Sequence, residues 1–392
     1  MTKSLHIKNQ VGLSLIELLI AMVLGLTLAT GVIQIYVGSS TTERDQDARL
    51  RMQENGRFAM NFLSNEIRMA GYLGCLGSIE GNVANNLLTD ADGADDDFQP
   101  EFGVQGWEAG GTDPGTVNNS QNNVAVVGTF GNGEWTTSDP DPGAPDFVIP
   151  DVNATPNSDI LRLWGTQGNP GAVLSVVNNA PGTADVITAD SAVGIQEDEF
   201  LIISDCEQVD VVQACTVVNA GLVATITLDA TCAPGNAVAT SVITSAVPAE
   251  VIRLQGTLFY VGKRDDTATN SPSLFMATLD DDGTLAAPQE VIEGVESMQL
   301  LYGVNVDQDV RATVDAYLTA DNVTDWDEVI SIRISLLMQS VENGTVPVPQ
   351  AYTFDGVVYD GAGGGNGALP ADDRVRRDFV NTISLRNRAL GT

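Results

Sequence analysis

A long apolar segment near the N-terminus dominates the hydrophobic pattern of this chain. The 21 residues from Leu18 to Gly38 carry no charged side chain. About 20 apolar residues are enough for a helix to cross the hydrocarbon core of a bilayer, so we predict a membrane-spanning helix. Lys3 and Lys8 precede the segment, and the acidic bulk of the chain follows it. The positive-inside rule therefore places the N-terminus in the cytoplasm and the rest of the chain outside.

Helical periodicity continues beyond the apolar segment. Apolar residues recur at helical spacing at Met52, Ala59, Leu63, Ile67 and Ala70. Asp45–Arg49 and Asp47–Arg51 are acid-to-base pairs four residues apart, in the order that stabilises a helix. Gly71 is a suitable stop, whereas Gly56 is a point where the helix is expected to bend or melt. We predict one helix over Leu13–Ala70, with an amphipathic second half packed on its own domain.

Farther along the chain, the pattern changes to the period of two that is typical of β-strands. In Val329–Gln339, apolar residues alternate with Ser331, Arg333 and Ser335, which predicts a half-buried antiparallel strand. Asp378–Arg388 shows a similar alternation. We also predict strands at Ile160–Trp164, Phe200–Ser204, Val209–Val218, Val223–Leu228, Val251–Gly262, Ser273–Thr278 and Met298–Val304. The expected fold class is α+β: a long N-terminal helix packed on a mostly antiparallel sheet.

The predicted globular domain, residues 76–392, contains no clear linker. Its segment from Ser78 to about Pro156 is rich in Gly, Asn, Asp and Pro, which predicts long loops with short strands such as Val124–Val127. We treat residues 78–248 as a variable region rich in insertions. An adhesin with its own ligand site in this region is one alternative function.

The residues around Gly12 form a specific motif. Gly12 is followed by Leu13-Ser14-Leu15-Ile16-Glu17 and then by the charge-free helix. This resembles the cleavage site of type IV pilins and pseudopilins. The resemblance implies a leader of residues 1–12, removed by prepilin peptidase after Gly12, and methylation of the new N-terminus at Leu13. Leu13 departs from the usual Phe. The resemblance also implies a filament-core helix over residues 13–38, continued by an amphipathic part over 39–75.

Glu17 is a lone carboxylate in the apolar stretch. A charge at the bilayer centre costs about 2.5–3.5 kcal/mol on insertion scales. Glu17 therefore either lies near the membrane edge and reaches water, or has a partner from elsewhere. The pilin resemblance implies the second arrangement, in which the α-amine of Leu13 in one subunit meets Glu17 of a neighbour.

A second resemblance covers the C-terminal part of the chain. The segments LFYVGK, LFMATLDDDGTL, VIEGVESMQLLYGV, DWDEVISIRISLLMQS and RVRRDFVNTISLRNR resemble, in this order, minor pilins of the PilW family, which are related to J-type pseudopilins of type II secretion. This implies a non-enzymatic subunit, placed at or near the pilus tip, that primes assembly and supports twitching motility and adhesion. A J-type pseudopilin is the nearest alternative.

The same resemblance implies partners and locations. The partners are other minor pilins, the major pilin, prepilin peptidase, the inner-membrane assembly platform and a large tip adhesin. Before assembly the protein lies in the inner membrane with a periplasmic C-terminal domain. After assembly it lies in the filament at the cell surface.

Charge and composition narrow the possible functions. The chain has 18 Lys and Arg against 52 Asp and Glu, a formal net charge of −34. This argues against binding of nucleic acids, which needs basic side chains to neutralise phosphates. The single histidine, His6, lies in the predicted leader. Its removal excludes His-dependent triads and metal sites from the mature protein. A hydrolase with paired carboxylates remains an alternative class, but no nucleophile or phosphate-loop motif occurs, so we predict no enzymatic activity.

Four cysteines follow the membrane segment. Cys75, Cys206, Cys215 and Cys232 would face an oxidising compartment, which favours two disulfides. Three pairings are possible, and free buried thiols are the alternative. We favour Cys75–Cys206, which would tie the end of the helix to a strand, and Cys215–Cys232, which would close a hairpin.

One turn has the alternate spacing of a calcium loop, with Asn305, Asp307 and Asp309 as candidate ligands. Val310 occupies the place of the glycine that such loops need, and no Glu closes the ligand set. A solvated loop is therefore the preferred interpretation. We predict no cofactor, with calcium as the alternative.

Overall fold

The computed structural model defines most of the chain. It describes residues 14–74, 83–87, 100–117, 135–136, 153–155, 157–177, 184–190, 194–232, 235–236, 249–264, 271–279, 285–306, 313–344, 346, 348–363 and 366–387. The predicted leader, Leu13 and the predicted strand Val124–Val127 lie outside the described residues.

One long helix, α1, spans Leu15–Met69. The Ser14 hydroxyl caps its N-terminus by accepting the N–H of Glu17 at 3.3 Å. The helix ends where the sequence predicts, because Gly71 adopts the left-handed conformation at φ 69°. The N–H of Gly71 then donates to the Trp164 carbonyl at 2.8 Å. The end of the helix is thus joined to the sheet domain.

The remaining described elements are strands and short helices. The strands are β1 Val83–Asn85, β2 Val104–Ala109, β3 Trp135–Thr136, β4 Asn153–Ala154, β5 Ile160–Val177, β6 Asp185–Asp190, β7 Phe200–Ser204, β8 Val209–Gln213, β9 Thr216–Ala220, β10 Val223–Leu228, β11 Glu250–Lys263, β12 Ser273–Thr278, β13 Gln289–Glu293, β14 Val295–Val304, β15 Ala316–Leu318, β16 Val329–Gln339, β17 Tyr352–Phe354, β18 Val357–Tyr359 and β19 Arg376–Ser384. Short 3-10 helices span Pro100–Phe102, Ala320–Asn322 and Trp326–Glu328.

A four-stranded antiparallel sheet, in the order β15-β14-β16-β19, packs on the second half of α1. The apolar stripe predicted from the helical periodicity faces this sheet. Its members are at most 4% exposed: Met52, Ala59, Leu63, Ile67 and Ala70. The prediction that this part of the helix packs on its own domain is confirmed, and the α+β fold class with it.

Strand β16 is buried on both faces, so the prediction of a half-buried strand is wrong. Ile332 and Ile334 lie under the helix as expected. On the opposite face, Leu337 packs against the β17–β18 hairpin, in a cluster with Tyr352 and Tyr359. The hairpin covers this face of β16 at Leu337, whereas Arg333, on the same face, lies over the Tyr317 ring of β15.

The larger sheet has thirteen strands, with a central path β1-β8-β7-β11-β5-β6-β10-β9. Two long strands, β5 and β11, pair antiparallel over much of their length. The predicted strand Val209–Val218 is in fact two strands, β8 and β9. They separate near Cys215 because β8 pairs with β7, whereas β9 pairs with β10.

Candidate functional site

The first half of α1 carries a continuous apolar surface. We call it the apolar helix surface, and its large residues are all more than half exposed: Leu15, Ile16, Leu18, Leu19, Ile20, Met22, Val23, Leu24, Leu26, Leu28, Val32, Ile33, Ile35, Tyr36 and Val37. By length and composition this is a helix that can cross a membrane. Soluble monomers rarely expose a patch of this size. The surface therefore requires a bilayer or neighbouring helices.

Hydroxyl groups do not interrupt the apolar helix surface. The Thr27 hydroxyl donates to the Leu24 carbonyl at 2.9 Å, and the Thr30 hydroxyl to the Leu26 carbonyl at 2.8 Å. These bonds return the polar atoms to the helix's own backbone. These two hydroxyl groups thus need no partner outside the helix, as an environment without water demands.

Glu17 is the single carboxylate on this surface, and it is exposed. The next basic residue along the chain is Arg44, which lies about 40 Å farther along the helix at roughly 1.5 Å per residue. The helix itself thus offers no cation within reach of Glu17. Gly12 and Leu13, the predicted processing residues, lie outside the described residues.

Polar contacts and close packing fix the second half of α1 to the domain. The Asn55 amide donates to the Glu293 carbonyl at 3.1 Å, and the Asn381 amide to the Ser64 hydroxyl at 3.2 Å. The Phe379 ring packs directly over Gly56, where an added Cβ would lie 2.6 Å from the ring. Gly56, expected to be a weak point, instead allows this close approach.

Asn387 is a contact that sequence analysis missed. Its amide donates to the carbonyl of Ala70, the C-cap residue of α1, at 3.2 Å. Helix ends leave carbonyl groups without intrahelical partners. A polar residue beyond the last strand thus ties that strand to the end of the helix. No local signal in the sequence indicates such a long-range bond.

A cleft of about 230 Å³ lies where α1 leaves the domain, and charged side chains of both signs line it. Arg51 and Glu342 approach to 3.9 Å across it, whereas Asp47 was the partner predicted for Arg51. The predicted pair of Arg49 with Asp45 forms at 2.8 Å. Because the Arg51 and Glu342 side chains are about 70% exposed, this ion pair contributes little to stability.

The structure joins Cys215 and Cys232 in a disulfide, with their Cα atoms 5.1 Å apart. This is the pairing that the sequence analysis favoured. Cys206 is also disulfide-bonded, so none of the described cysteines is a free thiol. Cys75 lies outside the described residues, and its pairing with Cys206 stays a prediction. Asp229 lies close to the Cys215 and Cys232 sulfurs, but sulfurs in a disulfide are not thiolate ligands for a metal.

The calcium candidates remain a prediction. Asn305 is buried, and its N–H donates to the Glu328 carbonyl at 2.9 Å. Asp307 and Asp309 lie outside the described residues. Asn305, the described member of the set, is thus bonded through its backbone just after β14. Its role as a calcium ligand stays a prediction.

Sequence analysis missed two buried carboxylates at β2, one of which, Asp159, joins the two sheets. Asp159 accepts the N–H groups of Ala109 in β2 and Leu300 in β14, at 2.9 and 2.7 Å. Glu108 is 4% exposed and accepts the Thr112 hydroxyl at 3.1 Å. Burial raises the pKa of Glu108 to about 8, and nearby carboxylates add to the effect. Only the tertiary structure brings these groups together.

Comparison with known proteins finds a similarity to a protein family in the C-terminal part of the chain. Residues 258–387 match the family model described as Type IV Pilus-assembly protein W. This segment runs from within β11 to just beyond β19 and contains the whole sheet that packs on α1. A type IV-like pilin from Thermus thermophilus is similar over 56% of this chain and 85% of its own, with 12% identity and a TM-score of 0.20.

No curated protein matches the chain. The family match covers a third of it, next to an N-terminal helix with a fully exposed apolar half. We conclude that this chain is a type IV pilus-related protein, similar to the Type IV Pilus-assembly protein W family over residues 258–387.

Proposed function

We propose that this protein is a minor pilin. The apolar helix surface first holds it in the inner membrane, with the sheet domain in the periplasm. The protein then enters the pilus filament at or near the tip, where it primes assembly and supports twitching motility and adhesion. One observation carries the proposal: a single helix is apolar and exposed along its first half and fixed in the domain core along its second half.

Processing prepares the helix for the filament. Prepilin peptidase cuts after Gly12 on the cytoplasmic side, and the α-amine of Leu13 becomes the N-terminus. Glu17 lies on an apolar surface with no cation of its own helix nearby. In a filament core, the α-amine of a neighbouring subunit supplies the missing positive charge. An unpaired buried charge is costly and a matched pair is tolerated, so this pair fixes the stagger between subunits.

Partners follow from this role. Helices of the major pilin and of other minor pilins cover the apolar helix surface within the filament. The inner-membrane assembly platform moves the subunit from the bilayer into the filament, and a large tip adhesin contacts the sheet domain. The exposed helix supports the first of these contacts, because apolar surface must be removed from water in both locations.

N-terminal sequencing of the protein recovered from sheared pili tests the proposal. We expect the mature chain to begin at Leu13, with a methylated α-amine. Recovery of a chain that begins at Met1, confined to the inner membrane and absent from sheared pili, would overturn it. Membrane fractions from cells without prepilin peptidase provide the control, because the uncut chain accumulates there.

A further inference from the structure

In the part of the chain that the structure describes, the outer edge of β19 has no strand partner. The four-stranded sheet ends at this nine-residue strand, which among the described strands pairs only with β16. An edge strand presents a row of backbone N–H and C=O groups that another strand can bind. The sheet that joins the domain to α1 thus also ends in a potential binding edge.

The register identifies which backbone groups point outward. The N–H of Leu385 donates to the Ile330 carbonyl, and the N–H of Ser340 donates to the Val375 carbonyl, both at 2.9 Å. Both bonds place the hydrogen-bonded pairs at odd-numbered residues of this strand. Because such pairs alternate in antiparallel sheets, even-numbered residues direct their N–H and C=O groups away from β16. These residues are Arg376, Asp378, Val380, Thr382 and Ser384.

This edge lacks several of the features that usually protect edge strands, although Arg376, Arg377 and Asp378 carry charges at its start. Val380 is 56% exposed, and Thr382 and Ser384 are exposed as well. The strand contains no proline and no lysine, and its pairing with β16 has no bulge. Proteins normally use such devices to block pairing at an exposed edge. The uncharged and largely exposed part of the edge, from Val380 to Ser384, therefore favours binding of another strand.

Positive charges surround the edge, in a chain with a net charge of −34. Arg377 and Arg386 are exposed on β19 and just beyond it. On the helix, Ser64 contacts the Asn381 side chain of β19. Arg57 and Arg68, seven residues before and four residues after Ser64, are exposed on the same side of α1. The two elements that border the edge thus carry four exposed arginines, whereas β19 itself carries one acidic residue, Asp378.

We propose that the outer edge of β19 docks an extended acidic segment of a partner protein, which adds to the sheet as a fifth strand. Backbone bonds to the even-numbered residues provide the affinity, and the flanking arginines select for acidic side chains. A second copy of β19 is a poor occupant, because it would place the two sets of arginines against each other. This docking does not depend on the filament role of α1, so the two proposals fail separately.

Binding of a model peptide tests the docking. The probe is the peptide Thr-Glu-Val-Glu-Val-Glu-Val-Glu-Thr, with lysine in place of glutamate as the control, added to the full chain in detergent. We expect the acidic peptide to bind at least tenfold more tightly by fluorescence anisotropy. At saturation, hydrogen exchange at the Val380 and Thr382 amides should slow at least tenfold. The Phe379 and Asn381 amides already bond to β16 and should not change.

Two pairs of variants separate docking from folding. Val380→Pro removes an outward N–H and leaves the β16 ladder intact, whereas Val380→Ala keeps that N–H. We expect at least a tenfold loss of affinity for the proline variant and less than a twofold change for the alanine variant. The double variant Arg377→Glu and Arg386→Glu should weaken binding, and Arg264→Glu, exposed at the end of β11, should not.

Three results would overturn the proposal. The first is equal binding by the proline and alanine variants. The second is a change in exchange that does not alternate along β19. The third is self-association of the chain without peptide that Val380→Pro abolishes, because a second copy would then occupy the edge.

Discussion

At the residue scale, the absence of a side chain at Gly56 decides how closely the helix approaches the sheet. The Phe379 ring occupies the space that a Cβ at Gly56 would need. A glycine inside a helix lowers helix propensity by about 1 kcal/mol relative to alanine. Packing therefore outweighs propensity here, because Gly56 is buried and the ring fills the site.

We expect Gly56→Ala to lower the free energy of unfolding by about 1–3 kcal/mol, the usual cost of forcing extra volume into a packed core. Chemical denaturation of the full chain in detergent measures the change. Gly25→Ala is the matched control, because nothing lies within 4 Å of a Cβ at that position. Adding Phe379→Leu to Gly56→Ala should restore part of the lost stability. A neutral Gly56→Ala would contradict the packing argument.

The buried carboxylates predict a pH dependence of stability. Burial raises the pKa of Glu108 from 4.5 to about 8, so between these values the folded state retains a proton that the unfolded state releases. The contribution of protonated Glu108 to the free energy of unfolding is complete below pH 4.5, and it is lost as the pH rises through about 8. The slope is at most about 1.4 kcal/mol per pH unit. The buried Asp159, whose pKa burial also raises, acts in the same direction.

We expect Glu108→Gln to flatten the decline of the unfolding free energy between pH 5.5 and pH 8.5, as measured by urea denaturation at each pH. Glu207→Gln, which removes an exposed carboxylate, should leave the slope unchanged. An identical slope in Glu108→Gln and the parent chain would show that Glu108 titrates normally.

At the scale of elements, the disulfide between Cys215 and Cys232 closes a hairpin far from the helix. It links the residue before β9 to the loop after β10, with 17 residues of sequence separation. Disulfides of this loop length contribute about 3 kcal/mol in the chain-entropy model. Because β9 and β10 lie at one end of the larger sheet, the effect should remain local.

Replacing both Cys215 and Cys232 with serine should therefore increase hydrogen exchange in β9 and β10 and leave β14 and β16 protected. Exchange followed by mass spectrometry measures this directly. Replacement of one exposed serine elsewhere, such as Ser39→Ala in α1, controls for handling. Loss of protection throughout β16 would mean that the hairpin supports the whole domain.

The local pattern of apolar residues is sufficient to predict the bounds of elements in which that pattern is strong. The predicted bounds of β7, β10, β12 and β16 agree with the structure. By contrast, only the start of β5 was predicted, because its later part contains glycines and a proline, residues that usually indicate a turn. Strand β2 was missed because Gln105, Gly106 and Glu108 break the apolar alternation, although all six of its residues are buried.

The candidate site shows the same difference between features that the local sequence predicts and features that it does not. The exposure of the apolar helix surface and the position of Glu17 follow from the sequence, since both depend on residues adjacent in the chain. The Asn387 contact and the Asp159 bridge depend on residues at least 50 positions apart. No local pattern encodes which distant backbone group a polar side chain will meet.

At the scale of the whole molecule, charge is distributed very unevenly. The apolar first half of α1 carries a single acid, whereas the sheet domain carries most of the acidic residues of the chain. In a filament, the acidic domains stay hydrated at the surface while the apolar helices are buried. In the proposed filament, Glu17 is then the one charged side chain of the apolar helix surface, and the α-amine of a neighbouring subunit would neutralise it.

We expect Glu17→Ala to leave membrane insertion intact and to reduce the amount of protein in sheared pili by at least tenfold. The α-amine of the neighbouring subunit would lose its partner, whereas the apolar helix would become easier to insert. Quantitative blotting of membrane and pilus fractions measures both effects. Glu43→Ala, an exposed acid beyond the apolar segment, is the control. Normal recovery of Glu17→Ala in pili would contradict the proposed pair.

The continuity of α1 also has a mechanical consequence. In the proposed filament, tension would act along the helix axis, and the second half of that axis lies against β16 and β19 over several turns. Such tension would therefore load many helix–sheet contacts at the same time, instead of breaking them one after another. The bonds from Asn381 to Ser64 and from Asn387 to Ala70 lie along this line of force. If the protein enters a filament as proposed, this packing would transmit the tensile load between the globular domain and the fibre.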